Sequence, residues 1–266
     1  MNRRIALSIG ALALITASGC SGSWYNADNL ATYEASLTPE VVGQAESISI
    51  ETKTGDVLLE PTAGEPKVVG KIRARTQERA DATTISTIIN GDILEISVNW
   101  PNGKRKNSES CDLLVYVPAM TGIGIDIDAA AGNIFVKDMA GPINIQSSAG
   151  NIEVRNHNGG ITARTSAGNI DFWDVADAVD VKTNAGDISL RRVGAPALAK
   201  TSAGDVYVVL HADATGALEA STSAGKVSLL GTKFKSKNGS VSITDDGPTS
   251  RFKTIAGDVE VSIESQ

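Results

Sequence analysis

A short pattern recurs through the second half of the chain, as AAGNIFV, SAGNIEV, SAGNIDF, NAGDISL, SAGDVYV, SAGKVSL, NGSVSI and IAGDVEV. Its glycines are Gly132, Gly150, Gly168, Gly186, Gly204, Gly225, Gly239 and Gly257, at successive spacings of 18, 18, 18, 18, 21, 14 and 18 residues. A fixed period this short points to one solenoid coil per repeat. Earlier echoes stand at Lys53-Thr54-Gly55-Asp56-Val57 and Asn90-Gly91-Asp92-Ile93.

Counted from each glycine, the second position is always aliphatic (Ile134, Ile152, Ile170, Ile188, Val206, Val227, Val241, Val259) and the fourth always apolar, from Val136 to Val261. That alternation is a strand with one buried face. A second alternating run lies seven and five residues before the glycine, as in Ile143 and Ile145, Ile161 and Ala163, Val179 and Val181. Each coil therefore supplies two short strands whose apolar faces can meet. Glycine allows the left-handed corner, and the alanine before it fits where a large side chain would collide with its stacked copy. An antiparallel meander could use the same length per hairpin but would not require the same residue types at every corner, so parallel stacking is expected. A ladder of Ser147, Thr165, Thr183, Thr201, Thr222, Ser236 and Thr254 shares the parity of the buried positions. Its hydroxyls are expected to bond to one another or to the corner backbone, and that parity argues against a threonine array displayed for ice binding.

The expected architecture is an all-β, two-stranded β-solenoid of about eight coils with an 18-residue period over 119–266, capped by a less regular β region over 46–118. Strand candidates in that region are Ser47–Ile50, Val57–Leu59, Val68–Arg73, Ile93–Trp100 and Leu113–Val117. An aromatic content of only 4% beside 26 glycines suits short strands and turns rather than helices around large side chains.

The N-terminus reads as an export signal over 1–20: Arg3 and Arg4, an apolar run from Ile5 to Ile15, and small residues leading to Cys20. The run Ala17-Ser18-Gly19-Cys20 resembles a bacterial lipobox, with alanine where leucine is usual, which implies acylation at Cys20. An ordinary secretory signal with an incidental cysteine is the alternative. Ser21 at the position after the lipidated cysteine favours the outer membrane of the cell envelope. Residues 21–45 are expected to form a flexible tether. With Cys20 used, Cys111 has no partner for a disulfide.

Composition narrows the chemistry. Two histidines, two cysteines and three methionines are too few soft ligands for a transition-metal centre, and no cofactor is expected. Without Arg3 and Arg4 there are 22 basic residues against 31 acidic, a net −9 that disfavours nucleic acid. His157 and His211 lie in loop-like contexts with no nucleophile motif, so no catalytic triad is expected.

Two outward rows carry charge. Asn133, Asn151, Asn169, Asp187, Asp205 and Asp258 follow the corner glycines. They read either as turn residues bonding locally to backbone or, at Asp187 and Asp205, as the paired carboxylates of a polysaccharide-acting β-helix enzyme or a cation site. Four residues before the glycines stand Arg164, Lys182 and Lys200, then Ser221, Lys235 and Lys253, a candidate anion-binding ridge on an acidic protein. It reads either as a solubilised sheet face or as a surface for acidic glycans, lipid phosphate or an envelope protein. The motif VYVP at 115–118 followed by S-A-G-[ND]-[IV]-x-[VFL] repeats resembles the DUF4097 proteins over about residues 45–265. That resemblance implies a β-repeat, adhesin-like module and carries no catalytic residues. The chain is thus expected to be a membrane-anchored envelope lipoprotein, not an enzyme, serving as an adhesin-like binding or scaffolding module.

Overall fold

The computed structural model of the protein describes residues 29–37, 42–119 and 122–264. Cys20 and the rest of the expected signal segment lie outside them. The described chain forms two sheets packed face to face, all-β and mostly parallel, as the repeat requires.

The regular coils alternate between the sheets. On one sheet lie β2 (Ser47–Thr52), β8 (Gly124–Ala131), β10 (Ile143–Ala149), β12 (Ile161–Ala167), β14 (Val179–Ala185) and β16 (Ala197–Lys200). On the other lie β3 (Val57–Pro61), β9 (Ile134–Lys137), β11 (Ile152–His157), β13 (Ile170–Val175), β15 (Ile188–Val193) and β17 (Val206–Leu210). Neighbours pair parallel in a register that places like on like, such as Ile143 against Ile161 and Ile152 against Ile170. The inward rows are fully buried, including Ile127, Ile145, Ile134, Ile152, Ile170 and Phe172. Burying each such side chain stabilises by about 1.5–3 kcal/mol, so the seam between the sheets is the core.

Residues 46–118 are more regular than a loose cap. The echo at Gly55 is a true corner, and β2 and β3 continue the solenoid against β8 and β9. Beyond them β6 (Ile93–Asn99) and β7 (Ser110–Val117) stack parallel on β2 and β3, so the coil holding 47–61 sits between later segments of chain. Antiparallel strands close this end: β5 (Thr84–Asn90) on β6, and β4 (Lys67–Ala74) on β7. Part of the expected tether, Asn29–Ser36, is instead strand β1, antiparallel to β4. Its inward positions, Ala31, Tyr33 and Ala35, are mostly small, which hid the alternation in the sequence.

A short helix α1 (Gln77–Asp81), capped by the Thr76 hydroxyl, brings Arg79 onto Glu109. The Glu109 carboxylate is buried and accepts two guanidinium bonds at 2.7 Å and the Lys106 amide at 2.7 Å. The Arg79 hydrogen bonds hold its pKa down to about 2.

The other end departs from chain order. β22 (Thr249–Lys253) inserts between β16 and β18 (Ala217–Ser221), and β23 (Val259–Ile263) inserts between β17 and β19 (Val227–Leu229). The reason lies in the core row. Phe252, 1% exposed, faces Ala199 on one neighbour and Ala220 on the other. Stacking in sequence order would set those two alanines side by side and leave a void; the ring fills it. NGSVSI does not form a coil: β21 (Asn238–Ser242) runs antiparallel to β18, and Gly239 lies against the Phe234 ring rather than in a corner. With β20 (Thr232–Phe234), antiparallel to β19, it closes this edge. Among the described residues no helix is long and apolar enough to cross a membrane.

Candidate functional site

Parity decides which side chains the parallel sheet of β12, β14 and β16 offers to solvent. Ile161, Ala163 and Thr165 point inward, so Arg164 points out, and the register carries this to every neighbour. The resulting row runs Glu51, Asp128, Gln146, Arg164, Lys182, Lys200, Lys253, Ser221. It is acidic at one end and basic at the other. Four of the five expected ridge residues therefore meet. Lys253 joins only because β22 is inserted; in chain order Ser221 would have ended the run at Lys200. Lys235 does not join: it is exposed in the connection between β20 and β21. The acidic half, Glu51 and Asp128, was missed; the same offset counted back from Gly55 and Gly132 would have found it.

The cations differ in their partners. Arg164 donates to the Asp180 carboxylate at 2.5 Å and to the Asp180 carbonyl at 2.6 Å, which fixes the guanidinium. Among the described residues no carboxylate lies within salt-bridge distance of Lys182, Lys200 or Lys253, and all three are exposed. Stacked ~4.8 Å apart, they repel one another. On the corner side stands a neutral row, Ser148, Ser166 and Asn184, all exposed. A cavity of about 500 Å³ opens there, bordered by Gln146, Arg164 and Lys182 as well as those three. Lys253 borders a second cavity of about 660 Å³, with Phe234, Asn238, Glu219 and Arg251.

The corner carboxylates do other work. Each Asx side chain accepts the backbone amide of the equivalent residue one coil on: Asp187 N–H donates to Asn169 at 2.9 Å, Asp205 N–H to Asp187 at 2.9 Å, and Asp258 N–H to Asp205 at 2.7 Å. These are bonds between coils rather than within a turn, and they hold one oxygen of each of Asp187 and Asp205 in the stacking of the coils. The series reaches from Asp112, which accepts the Asp56 amide, to Lys226 and follows the spatial order of the strands. The threonine ladder bonds to the corner backbone: Thr183 Oγ1 donates to the Gly168 carbonyl at 3.0 Å, and Thr165, Thr201 and Thr254 repeat the pattern. Among the described residues there is no cluster of metal-ligating side chains.

His157 is 2% exposed with Nε2 2.8 Å from the Gly141 carbonyl, and burial lowers its pKa. Cys111 is buried and free, its thiol pushed up to about 12 by burial, which makes it unreactive. One feature of the opposite sheet escaped the sequence reading. Arg155 and Arg191 lie over Trp173 at 5.6 and 4.4 Å from the ring centre, a stack created by three successive coils. Each stands five residues after a corner glycine, an offset that would have exposed it. With both faces facing arginines, the ring is a poor platform for stacking a sugar.

A family model described as toastrack DUF4097 matches residues 45–230. The chain belongs to this family. Among solved structures, this toastrack chain is similar to a candidate adhesin from Bacteroides fragilis, at 12% identity and TM-score 0.52 over 87% of this chain and 96% of that one. It is similar also to a candidate lipid-binding protein from Parabacteroides distasonis, at 15% identity and TM-score 0.44 over 90% and 98%. A candidate cell adhesion protein from Clostridium sporogenes matches at 11% and TM-score 0.40 over 88% and 100%. At 12% identity the likeness to the Bacteroides fragilis structure is one of fold. No curated protein matches the chain.

Proposed function

We propose that this toastrack protein is a non-catalytic, adhesin-like binding module of the bacterial cell envelope, held to the outer membrane by lipid on Cys20 and engaging acidic ligands through the ridge. The carrying observation is the set of three exposed lysines, Lys182, Lys200 and Lys253, aligned in register without a carboxylate partner among the described residues. An acidic protein that keeps three repelling charges on one face gains from an anion that neutralises them. The ligand belongs to acidic envelope glycans or lipid phosphates. The engagement of Asp187 and Asp205 in bonds between coils weighs against the polysaccharide-cleaving alternative.

The test is a glycan and lipid array probed with the soluble chain from Ser21 onward at low and moderate salt, beside the Arg164→Ser, Lys182→Ser, Lys200→Ser triple variant. Salt-sensitive binding to acidic ligands that the variant loses is expected. Failure of the unaltered chain to bind any acidic ligand overturns the ridge as a recognition surface. Anchoring is checked separately: labelled palmitate should enter the unaltered protein and not Cys20→Ala.

A further inference from the structure

We infer that the ligand is a linear polysaccharide carrying one carboxylate per sugar, laid along the solenoid axis across β12, β14, β16 and β22; this rests on the ridge being a recognition surface. Three observations carry it. First, the cations form a line, not a patch: Arg164, Lys182, Lys200 and Lys253 pair in consecutive parallel register, one per strand, so positive charge recurs every ~4.8 Å. A 1,4-linked sugar chain advances by about one strand spacing per residue; its carboxylates turn from side to side along the chain, and the long arginine and lysine stems reach them from one row.

Second, the neutral row of Ser148, Ser166 and Asn184 lies on one flank and lines the same cavity as Arg164 and Lys182. Hydroxyl and amide groups repeating at the coil spacing match the hydroxyls of a repeating sugar, whereas the headgroups of a fluid bilayer have no fixed repeat to match them. Third, the line has ends. Asp128 and Glu51 continue the same row with negative charge beyond Gln146, and Ser221 follows Lys253. A polyanion is therefore repelled at one end and unsupported at the other, which sets a footprint of about four sugars. The insertion of β22 supplies the fourth cation of that footprint.

Calorimetric titration of the full chain with galacturonate oligomers of one to six residues tests the inference, with vesicles of phosphatidylglycerol in phosphatidylcholine as a second arm. Affinity is expected to rise about fivefold per sugar up to four and to flatten beyond. Lys253→Ser should move the flattening to three sugars, Asn184→Ala should weaken the oligomers and spare vesicle binding, and Lys235→Ser should change neither. Vesicle binding that the triple serine variant abolishes, with no binding of oligomers, overturns the glycan and keeps the ridge. An affinity that does not depend on oligomer length overturns the alignment along the axis. Binding of neither probe overturns the glycan here and, with a silent array, the ridge as well.

Discussion

Replacing Phe252 by alanine removes the ring that justifies the out-of-order strand. The side chain is 1% exposed, and its neighbours in the core row are Ala199 and Ala220. The variant would hold three alanines in succession, so neither neighbour in the row can fill the gap. Phe→Ala in a core costs about 3–5 kcal/mol, less where the site collapses, and the two alanines of the row cannot fill the gap, so about 3–5 kcal/mol is expected. Urea unfolding followed by far-ultraviolet circular dichroism should give this loss as a lower midpoint at unchanged slope. A rigid apolar cavity also binds benzene, so benzene should restore part of the midpoint in Phe252→Ala and do nothing to the unaltered protein. Because Lys253 is the next residue, galacturonate affinity should fall even where the variant is fully folded. A cost below about 2 kcal/mol would refute the argument that Phe252 between two alanines fixes the strand order.

The corner permits a similar test: a Cβ on Gly168, at φ +146°, would sit 2.1 Å from the Gly150 carbonyl, itself an acceptor for Thr165. Gly168→Ala should cost about 3 kcal/mol or more by urea unfolding, while Gly43→Ala, with no atom within 4 Å, should stay within about 0.5 kcal/mol. Lys200→Thr removes a charge with two like-charged neighbours, each repelling by up to about 0.9 kcal/mol in water before screening. It should raise the melting temperature at low salt, and the gain should fade in 1 M salt; destabilisation, or a gain indifferent to salt, would count against the unpaired ridge. For pH, Glu109 is depressed to about 2, so its contribution is complete above about 4.5 and vanishes as pH falls towards 2, at most about 3 kcal/mol. His157, lowered from 6.5, is held neutral while the unfolded chain takes up a proton, so stability begins to decline as pH drops through 6.5. Glu109→Gln should flatten the lower limb of the denaturation-against-pH curve and His157→Gln the upper one.

The coil geometry was legible because period and parity are local. An 18-residue spacing fixes which residues stack, and alternation around each glycine fixes which face is buried, so the fold class, the inward rows and three ridge cations in succession follow from counting. Stacking order was not legible. NGSVSI and IAGDVEV both fit the motif, and the choice between Gly239 and Gly257 as the next corner rests on whether the core row needs a ring between two alanines, a long-range volume match with no local signature. Lys235 was misplaced for the same reason. The Asx row shows a milder limit: residue type pointed to backbone bonding, but only the register shows that each oxygen serves the next coil. Strand β1 was hidden because its inward positions, Ala31 and Ala35, are too small to mark a pattern.

These limits bear on where function can be sought in a fold like this. Corner glycines, Asx oxygens, threonine hydroxyls and the inward aliphatic rows are each committed to stacking one coil on the next, so a substitution there is felt as stability. The lysines of the ridge carry no such duty; Glu51 and Lys253 occupy equivalent positions with opposite charge and leave the coil unchanged. Two toastrack chains could therefore share every corner and differ completely in what they bind. It follows that residues should be compared by row, in spatial order, and not by position in the repeat. In chain order the ridge reads Arg, Lys, Lys, Ser, Lys, Lys; in space it is Arg164, Lys182, Lys200, Lys253, then Ser221, an unbroken line of four cations. Transplanting Lys253 to the chain-order position, as Lys253→Ser with Ser221→Lys, separates the two views: the composition is unchanged, yet the line is cut after Lys200, and galacturonate oligomers should lose the gain from the fourth sugar.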